Sequence, residues 1–445
     1  MTTFILVVWV AGVPATAGSA PEHLVRDIAP GAKGSGISWL MLSAGEVTYF
    51  SADDRTHGRE LWGTDGTQSG TRLVMDIREG PNSSYPKELA ALGESVYFAA
   101  VDGSHGCELW RSDGTVAGTV LVRDIPGSDK IGGSCPWNLT PAGDALYFSS
   151  VDGAHGVELW RSDGTEAGTA MVKDICPGAT GSMGFFFGYQ DFADVDGILY
   201  FSADDCTHGW ELWRSDGTEA GTVMAKDIRP GPDFSYIDAL TDVGGTAYFT
   251  ADDGKHGREL WKSDGTEAGT VMVRDIRPGK ETSVPTDLTD VDGTLYLVAD
   301  DGSHGYELWM SDGTEADTVM VKDMRDPSSP GSLTDVGGTL YFAVANELWK
   351  SDGTESGTVL VKDLRAALTN LTAVGGTLYF AATVGGHGNE LWRSDGTDAG
   401  TVMVEDLYPG AGSSDPRSIT DFGGSVLFSA VTPATGRELW SVQAG

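Results

Sequence analysis

The sequence predicts an all-β protein: a single β-propeller of four-stranded blades, nine in number, closed into a ring by its own N-terminal strand. Three observations predict it. The tripeptide Glu-Leu-Trp occurs nine times, beginning at Glu60, Glu108, Glu158, Glu211, Glu259, Glu307, Glu347, Glu390 and Glu438. Successive copies are 40 to 53 residues apart, a period that belongs to propellers and arrays. Each unit breaks at turn signals into four short apolar or aromatic runs, with no helical period of useful length. The two ends of the chain carry complementary pieces of one unit. Propellers typically have about 4 to 8 blades, so nine is large, and eight blades with one degenerate unit is the alternative.

The elements follow in order along the chain. Met1 to Ala20 has no charged side chain, and Phe4 to Val13 is apolar. Small residues follow at Ala15-Thr16-Ala17 and Gly18-Ser19-Ala20, so residues 1–20 read as a secretory signal peptide, although the n-region lacks Lys and Arg. The apolar run is too short for a bilayer, which takes about 20 residues. The propeller then occupies residues 21–445. It opens with Leu24-Val-Arg-Asp-Ile28, an outermost strand without the three that should precede it. The fifth unit shows the full pattern: Leu240–Val243, a Gly244-Gly245 turn, Ala247–Ala251, a loop at Asp252-Asp253-Gly254, Arg258–Lys262, the turn Ser263-Asp-Gly-Thr266, and Val271–Asp275. Asp-Gly and Gly-Gly between such runs are hairpin signals. The turn Thr is read as starting the fourth strand. The last unit stops after its third strand, at Glu438-Leu-Trp-Ser441, so the N-terminal strand is expected to complete it and leave the sheet no open end.

Composition narrows the function classes. The 445 residues carry 65 acidic against 29 Lys plus Arg, a formal net charge of -36. So acidic a chain will not hold a phosphate backbone by charge, nor be drawn to an anionic membrane surface. Nucleic acid is therefore not expected, and membrane insertion is not expected because no segment is long and apolar enough to span a bilayer. With 40% hydrophobic residues the chain is too apolar for a disordered acidic tail. Glycine, 62 residues, and the acidic excess both follow the repeated turns.

The motif Glu158-Leu-Trp-Arg-Ser-Asp-Gly-Thr165 and its copies resemble the ELWxxDGT repeat family of secreted bacterial proteins, from about Leu24 to the end. The resemblance implies an exported or cell-surface repeat protein and carries over no catalytic residue. The Gly-Gly-x-Leu-Tyr-Phe segments look like kelch repeats. Ser-Asp-Gly-Thr partly resembles the Asp-box turn of sialidase propellers, but the following aromatic and the spaced arginines are missing.

The nine tryptophans of the motif are read as packing between blades rather than as sugar-stacking residues. The Asp-Gly-Thr turns are read as structure: Asp accepts turn backbone bonds and Gly takes a positive φ. Calcium is the one ion the hard oxygens would suit, but a turn offers a single carboxylate where six or more oxygens are needed. No cofactor and no metal ligand is assigned. Seven histidines, His57, His105, His155, His208, His256, His304 and His387, precede the third strand in a His-Gly step. Most follow Asp, which makes the loops candidate ligand-binding elements; the competing reading is that His braces a tight loop by bonding backbone. Seven copies favour bracing, since catalysis needs one constellation.

Asymmetry marks where a ligand would bind. The seventh unit lacks the loop, running Tyr341-Phe-Ala-Val-Ala-Asn-Glu347, and the connection from Asp363 to Leu371 is short, which predicts a notch. The connection into the fourth unit holds Phe185, Phe186, Phe187, Tyr189 and Phe192, and the next adds Phe234 and Tyr236. These aromatics would stack on a sugar, anchor a protein, or plug the channel. Four cysteines in an exported protein suggest two disulfides from three pairings, with Cys176 beside Cys206 and hence Cys107 with Cys135. The leading expectation is a monomeric, non-enzymatic propeller binding an extracellular glycan or protein. The alternatives are a hydrolase or lyase acting on an extracellular polysaccharide and a calcium-stabilised structural surface protein.

Overall fold

The computed structural model describes residues 23–38, 40–125, 135–183, 192–324 and 328–444. The expected leader, residues 1–20, lies outside them. Among the described residues there is no helix; 36 strands form nine four-stranded antiparallel sheets. Eight blades are continuous in sequence, from Met41–Met75 through Leu368–Met403. The ninth combines Arg417–Phe422, Ser425–Thr432 and Gly436–Gln443 with the N-terminal strand His23–Arg26. The ring is therefore nine-bladed, and closed by strand exchange between the chain ends.

Alternation along each strand gives every blade two apolar faces. The second and third strands set a Phe opposite the motif Trp, as in Phe249↔Trp261 and Phe380↔Trp392. These face the preceding blade. The Tyr beside that Phe, with the motif Leu and the outer-strand Val, faces the following one. One such interface joins Tyr200, Leu212 and Ala225 of blade 4 to Phe249, Ala251 and Trp261 of blade 5. Seven of the nine motif tryptophans are buried, while Trp349 and Trp440 are half-buried.

The basic residue of the outermost strand has a repeated task the sequence reading did not assign. Lys173, Arg274 and Lys322 each reach across to the next blade, lying 5.8, 5.8 and 5.9 Å from the ring centres of Trp213, Trp309 and Trp349. Each also donates to a turn carbonyl there, Lys173 to Thr222 and Lys322 to Thr358 at 2.8 Å. Cation–π contact and hydrogen bond together tie neighbouring blades at the rim.

The Asp-Gly-Thr turn is a closed hydrogen-bond unit. In blade 5 the Thr266 amide and hydroxyl donate to Asp264 Oδ1 at 2.9 and 2.7 Å, and the Gly265 amide donates to Ser263 Oγ at 2.9 Å. Gly265 has φ +83°, and a Cβ on Gly269 would fall 2.0 Å from the Asp264 carboxylate, so both positions need glycine. Thr266 lies inside the turn rather than starting the fourth strand, which begins at Val271 as its apolar run indicated. The reason is that Thr266 is used as a local donor and acceptor, with its carbonyl taking the Thr270 hydroxyl at 2.7 Å.

Two faces result. The Gly-Gly and Asp-Gly-Thr turns share one. The His loops and the connections between blades share the other.

Candidate functional site

The His-loop face is built on a glutamate. The motif Glu is fully buried in eight blades. In blade 5, Glu259 accepts the Ile276 amide at 2.9 Å, the Ser283 amide at 3.0 Å and the Ser283 hydroxyl at 2.6 Å. It thereby clamps the chain as it crosses to the next blade. Burial pushes Glu60, Glu158 and Glu259 up to about 7 and Glu211 up to about 8, against the opposing pull of these hydrogen bonds. Sequence reasoning missed the clamp, though a signal existed. A Ser stands 24 residues after Glu60, Glu158, Glu211, Glu259 and Glu390, whatever the composition between.

The histidines stand in one arrangement. In six loops, the ring Nδ1 meets the carboxylate three residues earlier, from Asp152–His155 at 2.5 Å to Asp253–His256 at 2.9 Å. The other carboxylate oxygen accepts the His amide, as Asp253 Oδ1 does from His256 at 2.9 Å. The bracing is thus indirect: Asp caps the backbone and His holds Asp, where direct bonding of His to backbone was expected. Burial pushes the Asp54 carboxyl up, but hydrogen bonds from His57 and Thr56 together hold it below its usual range, and the Asp54 carboxylate in turn raises His57. His387 has no such Asp and pairs with Asp406 at 2.8 Å. The structure does not bring the seven histidines together; each serves its own blade.

Among the described residues, no group of three or more His, Cys, Asp or Glu is arranged to hold a metal ion. Cys107, the first residue of a third strand, is bonded to Cys135, and Cys206 of a His loop to Cys176; each pair ties to a connection between blades. Blade 7 has a two-residue hairpin at Ala345-Asn346 instead of a loop. Glu347, without a serine to clamp, is half-buried and accepts the Trp349 indole N–H at 2.9 Å.

Of the aromatics singled out, Phe185, Phe186, Phe187 and Tyr189 lie outside the described residues. Phe192 packs edge-on against Phe201 at 5.8 Å, beside the core between blades 3 and 4. Phe234 and Tyr236 form a cluster with Trp210, which the sequence reading did not include. Trp210 and Phe234 are 6.5 Å apart, Phe234 and Tyr236 6.1 Å, both edge-to-face. The Arg258 guanidinium lies 5.7 Å from the Tyr236 ring centre and 3.6 Å from Asp238. Tyr236 is 40% exposed with φ +53°. The same backbone position holds Tyr85, 59% exposed with φ +51°. A left-handed tyrosine costs on the order of 1 kcal/mol, and here it turns the ring outward where the connection meets the innermost strand.

No protein-family model and no curated protein matches the sequence. Similar solved structures include a puromycin hydrolase, S511A mutant complexed with PGG, at 13% identity and TM-score 0.44 over 93% of this chain and 62% of that one. Oligopeptidase B from Leishmania major is 14% identical, TM-score 0.45, over 80% and 52%. BamB from Moraxella catarrhalis is 12% identical, TM-score 0.42, over 82% and 94%. The chain thus spans about three fifths of the puromycin hydrolase and about half of the oligopeptidase. Likeness at this level says nothing about what the chain binds or catalyses.

Proposed function

We propose that the protein is an exported propeller of the ELWxxDGT type that binds an extracellular glycan or protein without chemical turnover, on the His-loop face at blades 4 and 5. One observation carries this reading: the Trp210–Phe234–Tyr236 cluster, exposed at Tyr236 and bordered by Arg258 and Asp238. Aromatic faces stack on the C–H face of a sugar, and the flanking charges suit its hydroxyls. The glycan is the first partner to test because the platform joins both chemistries. Repetition of the Asp–His pair in six blades argues against a catalytic constellation in any one of them.

The test is a glycan screen with product release followed in parallel. A glycan is expected to bind without being cleaved, and Tyr236→Ala to weaken it at least tenfold while the melting temperature holds. Turnover lost on His208→Ala would replace this reading with a hydrolase or lyase. A partner that binds equally well to Tyr236→Ala would remove the platform from the site.

A further inference from the structure

On the opposite face, the interface between blade 9 and blade 1 departs from the repeat at three neighbouring positions. Elsewhere the second strand carries a Tyr: Tyr49, Tyr97, Tyr147, Tyr200, Tyr248, Tyr296, Tyr341 and Tyr379. In six of these blades it is paired across the sheet with Arg or Lys, as in Tyr147↔Arg161, Tyr200↔Arg214 and Tyr341↔Lys350. Seven of the tyrosine hydroxyls reach the turn glycine of the following blade so closely that a Cβ would collide with them, from Tyr49 at Gly114 to Tyr341 at Gly396. The phenol and the basic side chain fill the space beneath the turn. In blade 9 the same cross-strand pair is Leu427↔Ser441. Both fillers are cut short at one interface.

A cavity of about 450 Å³ stands there, lined by Leu24, Val25, Phe422, Leu427, Ser441 and Gln443 under the Asp65–Gln68 turn of blade 1. It adjoins a more open recess of about 520 Å³ that shares Asp65, Phe422 and Gly423. The third departure is Phe422, where the other innermost strands end in Ala, Val or Leu. Its ring comes within 3.5 Å of where a Cβ on Gly66 would stand, taking part of the vacated space and giving the cavity an aromatic wall. Blade 1 shows what full compensation looks like. With Gly63 at the basic position, Arg72 of its outermost strand reaches over and donates to the Gly114 carbonyl at 3.0 Å. In blade 9 that position holds His23, which is exposed on the cavity margin.

We propose that this cavity is a binding site for a small neutral phenol, which takes the place that the protein's own tyrosine fills at seven other interfaces. Its volume falls within the range of small-molecule sites, about 300–1,000 Å³. Phe422 offers the ring an offset or edge-on partner. Val25 and Leu427 enclose it, and Ser441 and Gln443 give its wall a polar edge. The protein's charge of -36 selects a neutral ring over an anionic one. The site is independent of the aromatic platform, which lies on the other face.

The full chain is titrated with p-cresol by saturation-transfer NMR, with 4-methylcyclohexanol and 4-hydroxyphenylacetate as competitors. Binding below 1 mM is expected, weakened at least fivefold for each competitor, with intermolecular NOEs to the Leu427 and Val25 methyls. N-acetyl-tyrosinamide tells a free phenol from a tyrosine side chain as the natural source; either fits the site. The double variant L427Y/S441R restores the repeat and is expected to abolish binding with no loss of melting temperature. Absence of p-cresol binding, equal binding of the cyclohexanol, or NOEs to other methyls would overturn the proposal using the unaltered protein alone, whether or not the variant folds.

Discussion

A glutamate between apolar neighbours on a strand would be costly to bury on its own. Glu259 is tolerated because two backbone amides and one hydroxyl converge on its two oxygens. Substitution should therefore be costly there and cheap at Glu347, which is half-buried and receives one indole N–H. Glu259→Gln turns an amide group toward at least one buried donor, and about 1–3 kcal/mol of stability should be lost. Glu347→Gln should stay within about 0.5 kcal/mol. Denaturant midpoints of the two variants measure the difference; equal midpoints would mean the clamp contributes nothing beyond its packing. Residue counting from sequence found the Trp because its size announces burial. It passed over the Glu because its partners stand 17 to 24 residues away, on a segment with no regular structure.

At the scale of the element, the Asp–His loops and the clamped connections are stabilised by ionisable groups whose titration has a definite sign. The buried glutamates have native values raised above the ordinary 4.5, to about 7 for Glu60, Glu158 and Glu259 and about 8 for Glu211. Their stabilisation is fully present below 4.5 and is lost as pH rises through these values. Histidines held by Asp, such as His57 and His208, are raised above 6.5 and act in the same direction. The turn aspartates, such as Asp264, are lowered by bonds from Thr266, so their contribution is lost only as pH falls below the usual 3.8. The melting temperature should accordingly be highest near pH 5 and fall steadily toward pH 8.5. Calorimetry at high salt, which screens the surface terms but not the buried ones, should retain most of the fall. A melting temperature that rises between pH 6 and 8 would contradict the assignment.

For the whole molecule, ring closure uses the same parts as every other junction. Glu438 accepts the amides of Ile28, Ala29 and Ser35 and the Ser35 hydroxyl at 2.8–3.2 Å. Arg26 lies 5.9 Å from the Trp62 ring centre, as the outer-strand cations do between other blades. Removing residues 1–22 should leave the melting transition in place. Removing residues 1–28 takes away the outermost strand of blade 9, uncovers the edge of its third strand and strips the Ile28 amide from Glu438. That shorter chain should melt markedly lower and self-associate through the open edge, as size-exclusion chromatography with light scattering would show. A monomer with an unchanged transition would mean that the strand exchange does not hold the ring.

The blade number, the strand exchange and the identity of the turns were legible in the sequence, because each is local or repeated: a hairpin is written in adjacent residues, and nine copies raise a weak signal above noise. The departures of blades 7 and 9 were equally present as letters, but only one of them was readable. A missing loop changes the spacing, whereas Leu427 and Ser441 change nothing except what lies across the next interface. The tertiary structure alone decided that two shortened side chains 14 residues apart leave one cavity, that Trp210 joins Phe234 and Tyr236, and that the repeated Glu clamps a connection. The physical reason is common to all three. Packing and hydrogen bonding join residues by distance in space, and a closed ring makes neighbours of residues such as Ile28 and Glu438 that sequence places at opposite ends of the chain.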